Sequence, residues 1–158
     1  MTTLTRSARA SIALVAFLAA VAAVAVVGGL AASQSREVYA GLVRPSWAPP
    51  PWLFGPVWTV LYVLIAFSGW LFWRSGGLRG GLRWYAAGLL LNATWTPLFF
   101  GGGAYALALL DVVALDAVIV ATVVVFRRRS PAAAAMQLPY LAWAVFATAL
   151  NAAIVLLN

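Results

Sequence analysis

The chain has 158 residues, 65% of them hydrophobic and only 8% charged, against about 25% charged in a soluble domain, which excludes a fold that meets water on every side and leaves lipid as the solvent. The formal net charge of +7 comes from ten arginines that lie at the ends of apolar runs or between them, so no basic stripe is present and nucleic acid is not expected as a partner. The absence of Cys and His excludes disulfides, thiol nucleophiles, Cys/His zinc sites, an imidazole base and the usual strong axial ligands of haem iron, and no metal or cofactor is expected.

A helix needs about 20 apolar residues to cross the hydrocarbon core. Five segments qualify, at about residues 10–32, 52–73, 84–100, 104–126 and 132–157. The fold class expected is an all-α membrane protein, a five-transmembrane-helix bundle forming a single domain over 1–158. The first segment follows Arg6 and Arg9 and ends near Gly29-Leu30-Ala31, a pattern shared with signal peptides. A signal core is about 7–15 apolar residues, and this run is longer, which favours a retained helix; cleavage would leave four spans.

The long loop 33–51 is polar at first and then rich in Pro, from Pro45 through Pro49-Pro50-Pro51. Proline lowers the entropy of ordering, so a stiff lid above the helix ends is expected. Its Arg36 and Arg44 suit an acidic substituent of a ligand. In the second helix Phe54, Trp58, Tyr62 and Ile65 share a face. Loop 74–83 holds three Arg and four Gly. The third helix carries Asn92, Trp95, Thr96 and Phe99 on one side, with Pro97 as an expected kink. Gly101-Gly102-Gly103 marks a tight connection. The fourth helix carries Asp111 and Asp116, about 140° apart around a helix. An intramembrane carboxylate is costly. With no Lys or His available, each Asp has to be protonated, hydrogen-bonded to groups such as Asn92, Thr94 or an indole N–H, or wetted by a cavity. A polar clamp between helices is the plain alternative to a functional role. Arg127-Arg128-Arg129-Ser130-Pro131 is a basic stop before a helix-starting proline. The fifth helix carries Tyr140, Trp143, Ala147 and Asn151 on one side, with Pro139 inside it.

Buried amides and indole N–H groups need partners that lipid does not offer, so these faces are expected to point inward. Trp47, Trp52, Trp70, Trp73 and Trp84 fall near expected interfaces, where belt anchoring explains them. Trp58, Trp95 and Trp143 fall deeper and suit a pocket. Counted by side, eight arginines lie with the N-terminus and only Arg36 and Arg44 on the other. The positive-inside rule then puts the N-terminus in the cytoplasm and the C-terminus on the opposite side.

Four motifs occur in order: "YAGLVRPSWAPPPWLFGPVWTVLY" from Tyr39, "LNATWTPLFFG" from Leu91, "ALLD" ending at Asp111, and "LPYLAWAVFATALN" ending at Asn151. Together they resemble the translocator protein family (TspO/MBR), also called tryptophan-rich sensory protein or peripheral benzodiazepine receptor. The resemblance implies a five-helix bundle, usually a homodimer in the lipid bilayer, that binds porphyrins such as protoporphyrin IX or other planar apolar ligands. Carried over by motif, the ligand-binding set is Tyr39, Trp58, Asn92, Trp95, Phe99, Asp111, Tyr140 and Trp143. Arg44 and Tyr62 join it from their positions in the loop and the second helix. Trp58 and Trp143 match the indoles implicated in light-dependent porphyrin breakdown, the one expected catalytic activity. A sensory, scavenging or transport role, photo-oxidative degradation and a purely structural subunit are the functions this leaves open. Two departures matter. Leu150-Asn151-Ala152-Ala153-Ile154 lacks the Tyr and basic residue of the family's cholesterol motif, so cholesterol is not carried over. Ala40 follows Tyr39 where an acidic residue is frequent.

Overall fold

The computed structural model describes residues 6–32, 35–77 and 79–158, and every regular element among them is helical. Helix α1 spans Arg6–Ala31 and a short α2 spans Ser35–Gly41. A 3₁₀ turn at Pro51–Leu53 leads into α3, Phe54–Arg74. Helix α4 covers Arg79–Thr96 and passes into a π-helical turn, Pro97–Gly101. Helix α5 spans Tyr105–Arg127 and α6 spans Pro131–Leu157. Four of these stretches, Ser7–Ala31, Pro51–Arg74, Tyr105–Arg127 and Pro131–Leu157, are long and apolar enough to cross a membrane, and the protein is an integral membrane protein. Helix α4 falls short of that mark because Arg83, Asn92 and the threonines dilute its apolar run.

The differences from expectation have local causes. Loop 33–51 contains α2, which plants Tyr39 among buried residues. The helix expected from residue 84 begins at Arg79, so the glycine-rich connection shrinks to residues 75–78. Gly76 there has φ +75°, a left-handed conformation that costs glycine little. Pro97 does not break its helix. It has no N–H to donate, and the chain beyond it widens so that Gly102 N donates to Pro97 O at 2.9 Å. Pro131 starts α6 as expected, and Ser130 caps it: the Ser130 side chain accepts from Ala133 N at 3.2 Å.

The long helices pack as a ring in the order α1, α3, α6, α5, α4 and back to α1. The two halves of that ring differ. Toward the arginine-rich end the core is solid. Phe72 and Phe126 stack at 3.9 Å and Tyr85 stacks on Phe126 at 6.2 Å. Gly69 lets them close up, because a Cβ there would lie 2.7 Å from Tyr85 and 2.8 Å from Phe17. Ser68, Gln137 and the Ala133 carbonyl satisfy one another inside this half. The loop half is looser and opens into a cavity.

Candidate functional site

The cavity has a volume of about 450 Å³, within the roughly 300–1,000 Å³ range of small-molecule sites. Helix α1 supplies one wall from Ala25, Gly28 and Gly29, continued by Ala32 just past its end. Helix α3 supplies Phe54, Gly55, Trp58, Thr59 and Tyr62; Trp95, Thr96 and Phe100 close the far side, and Tyr39 and Pro51 form the roof. Among the described residues no charged side chain lines it.

Of the expected site residues, Tyr39, Trp58, Tyr62 and Trp95 line this cavity. Trp58 is held by Tyr62, with centroids 5.2 Å apart, and by Tyr140 at 6.2 Å. Tyr140 is itself buried and does not reach the cavity; its hydroxyl accepts from Asn92 Nδ2 at 2.9 Å. Asn92 Oδ1 accepts in turn from the Tyr62 hydroxyl at 3.3 Å. One amide on α4 therefore ties α3 to α6, as a buried polar group must if it is to be tolerated in lipid. Trp95 donates from Nε1 to Asn151 Oδ1 at 3.2 Å, and Asn151 Nδ2 donates to Tyr105 O at 2.9 Å. Its ring stacks on Phe99 at 5.0 Å.

Phe99 and Trp143 lie one layer behind. They line a small void of about 20 Å³ together with Tyr39, Phe54 and Trp95. Phe54 borders both spaces and packs edge-on against Trp143 at 5.9 Å. Tyr39, Trp95 and Phe100 border both spaces as well.

Arg44 sits at the roof rather than in the cavity, its guanidinium 4.6 Å from the centroid of the Tyr39 ring. Tyr39 donates to Pro49 O at 3.2 Å. Burial pushes its phenol above the ordinary value of 10.0, and the nearby Arg44 cation offsets part of that rise. The Arg36 side chain, the other expected partner for an acidic ligand group, lies outside the described residues. The roof is pinned to α6 twice: Trp47 packs on Phe146 at 5.8 Å, and the Asn158 amide accepts from Val43 N at 3.1 Å and donates to Val43 O at 3.0 Å.

Neither aspartate reaches the cavity. Thr94 donates to Asp111 Oδ1 at 2.6 Å, and Thr148 donates to Asp116 Oδ2 at 2.8 Å. The second oxygen of each is buried without a hydrogen-bond partner. These contacts are clamps between α4 and α5 and between α5 and α6. Asp111 thus stands apart from the pocket to which the motif assigned it.

The contribution of α1 escaped sequence reasoning. Gly29-Leu30-Ala31 read as the end of a signal-like run, whereas Gly28 and Gly29 belong to the cavity wall that also includes Trp58. The one clue was a Gly pair after the long run of Ala, Val and Leu in α1.

The TspO/MBR family matches residues 16–157. The chain is 42% identical over 118 residues to the translocator protein of Homo sapiens, covering 72% of this chain and 70% of that one. It is 40% identical over 134 residues to the tryptophan-rich protein TspO of Archaeoglobus fulgidus, covering 83% and 87%. It is 38% identical over 115 residues to the tryptophan-rich sensory protein of Cereibacter sphaeroides, covering 73% of each. An aromatic cavity under a proline-rich roof, these motifs in this order and these identities have one reading: the chain belongs to the TspO/MBR family.

Proposed function

We propose that this protein is a membrane-embedded binding protein for flat apolar ligands of the tetrapyrrole type, protoporphyrin IX-like porphyrins above all, with a sensory, scavenging or transport role. The observation that carries this is the uncharged cavity of about 450 Å³ with Trp58, Tyr62 and Trp95 in its walls. A porphyrin is an apolar disc with carboxylates on one edge. The disc stacks on indole and phenol rings, each aromatic pair adding about 0.5–1.5 kcal/mol beyond area burial. The carboxylates cannot follow it inside, where no counter-charge lines the wall, so they stay at the roof near Arg44. The ligand-binding set is then Tyr39, Arg44, Trp58, Tyr62 and Trp95 around the disc. Phe99 and Trp143 stand behind them around the smaller void, and Asn92 and Tyr140 hold Trp58 and Tyr62 in position.

In this reading the whole chain is one domain and α4 with its π turn is a fifth membrane crossing, since the ring of helices closes only through it. The arginine-rich end faces the cytoplasm. Helices α4 and α5 turn Leu90, Leu107 and Leu110 outward, a surface suited to lipid or to a second copy in a homodimer. Light-dependent porphyrin degradation is the second reading. Trp58 against the cavity supports it, because an indole beside a photoexcited porphyrin is an oxidisable electron donor, with Trp143 as the other candidate.

Titration of protoporphyrin IX into the protein in detergent, read by tryptophan fluorescence quenching, tests the reading. Saturable quenching that is weakened in the Trp58→Phe, Trp143→Phe double variant is expected. Unchanged affinity in that variant removes the pocket assignment, and absence of saturable binding removes the tetrapyrrole. Illumination of the complex in air that yields only the protein-free bleaching products removes the second reading.

A further inference from the structure

The arginine-rich end of the ring carries cations and no side-chain anion to match them. The chain holds ten arginines against three acidic residues, Glu37, Asp111 and Asp116. Glu37 sits in α2 at the loop end. Asp111 and Asp116 are clamped by threonines within α5, and even Asp116 lies about 16 Å along the helix from Arg127. The core at this end is closed: Phe72 stacks on Phe126, and a Cβ on Gly81 would meet Phe72 at 2.5 Å and Val125 at 3.1 Å. Arg74, Arg83 and Arg127 lie within two residues of that layer, and all three are exposed. Their counter-ion therefore comes from outside the chain.

One of these guanidinium groups is held in place. Arg74 Cζ lies 4.6 Å from the centroid of the Trp70 ring. Trp70 is itself fixed: Nε1 donates to Ala10 O at 2.9 Å, and Phe67 packs edge-on at 6.1 Å. The indole stitches the last turns of α3 to the first turns of α1, with Arg74 laid on its face. Arg9, the residue before Ala10, is exposed on α1. A guanidinium on an indole gives up hydration on one side and keeps its N–H edge for an acceptor. Among the described residues nothing accepts from Arg74. Trp73 and Trp84 are 37% and 45% exposed at the same end, and such amphipathic rings settle at the headgroup level of a bilayer. The anion met at that level is a lipid phosphate, which a guanidinium fork grips through two N–H groups. A zwitterionic headgroup brings its own cation toward the arginines; an anionic one does not.

We propose that the α1–α3 seam at the arginine-rich end, with Arg74 laid on Trp70 and Arg9 beside it, binds the phosphate of an anionic phospholipid of the phosphatidylglycerol type. The site is separate from the cavity and independent of what fills it. Trp70 is a positioning residue: it holds the guanidinium at the height of the phosphate and couples the lipid to the packing of α1 on α3.

The full chain in neutral detergent is titrated with phosphatidylglycerol and, separately, with phosphatidylcholine of the same acyl chains. Native mass spectrometry follows the first bound lipid, with the melting temperature read in parallel. Phosphatidylglycerol is expected to bind more tightly and to raise the melting temperature. Arg74→Gln is expected to weaken phosphatidylglycerol about tenfold, the contribution of one charge-assisted contact, and to leave phosphatidylcholine unchanged. Arg74→Lys keeps the charge without the fork and restores only part. Arg128→Gln removes the same charge from the end of α5, which does not pack on α1, and should change little. Should Arg74→Gln melt early without lipid, Arg9→Gln puts the same question from the α1 side. Unchanged phosphatidylglycerol affinity in the seam variant, or an equal loss in Arg128→Gln, overturns the proposal in favour of a diffuse field. Equal affinity of the parent for the two lipids overturns it as well. Displacement of phosphatidylglycerol by inorganic phosphate makes the seam a site for the free anion and removes the lipid.

Discussion

Filling the cavity from α1 is the sharpest perturbation open to this protein. Gly28 faces Tyr62 and Thr96 with ordinary van der Waals clearance for a methyl group, its built Cβ being 3.6 Å from each. Gly28→Ala is therefore expected to fold at least as well as the parent, since Ala exceeds Gly by about 1 kcal/mol in a helix interior. Gly28→Phe sends a ring into a space of about 450 Å³, opposite Trp58. An aromatic side chain that would bury on the order of 150–250 Å² then occupies the place of the ligand disc. The ligand loses its contacts with Trp58, Tyr62 and Trp95. At about 0.5–1.5 kcal/mol per aromatic pair beyond area burial, three lost pairs weaken binding by roughly ten- to a thousandfold. The assay is protoporphyrin quenching of tryptophan fluorescence, with thermal unfolding in detergent as the check on folding. Gly28→Ala should stay near the parent and Gly28→Phe should lose saturable binding while melting normally. A folded Gly28→Phe that binds porphyrin with parental affinity would refute the location of the site.

Trp95→Phe leaves Asn151 Oδ1 without its indole donor, an acceptor stranded in the bundle; a loss of about 1–3 kcal/mol is expected, read as a lower melting temperature in detergent. Asn158→Ala removes both hydrogen bonds to Val43 and leaves the Trp47–Phe146 contact as the roof's tie to α6. Ligand association and dissociation should both accelerate with little change in Kd in stopped-flow quenching, and unaltered rates would show that the roof does not gate the cavity. Because burial raises the Tyr39 phenol above 10.0, the hydrogen bond to Pro49 is fully present below that pH and is lost as pH climbs through the raised value. Ligand dissociation should quicken in that window, and Tyr39→Phe should abolish the step.

Four of the spans and the aromatic faces were legible in the sequence because lipid imposes simple demands. A crossing helix needs a long apolar run, and every buried amide or indole N–H needs an internal partner. Asn92 with Tyr62 and Tyr140, and Trp95 with Asn151, follow from those demands. Thr94 was among the partners the sequence offered an aspartate, and it meets Asp111, whereas Thr148 as the partner of Asp116 emerged only from the packing of α5 on α6. The helix within loop 33–51 was hidden because its seven residues are too short to show a period and are held by tertiary burial of Tyr39. The wall formed by α1 was hidden because glycine and alanine carry no signal for facing a cavity.

What the sequence determined by itself is that this chain lies in a membrane and turns indoles and amides inward, since composition and the cost of unpaired polar groups in lipid admit little else. What only the tertiary structure decided is where the empty space falls. Volume is set by which side chains oppose each other across helices: Phe72, Phe126 and Tyr85 fill the arginine-rich half, while Gly28 opposite Trp58 leaves the loop half open. That opposition depends on packing between residues far apart in the chain, and no local pattern records it.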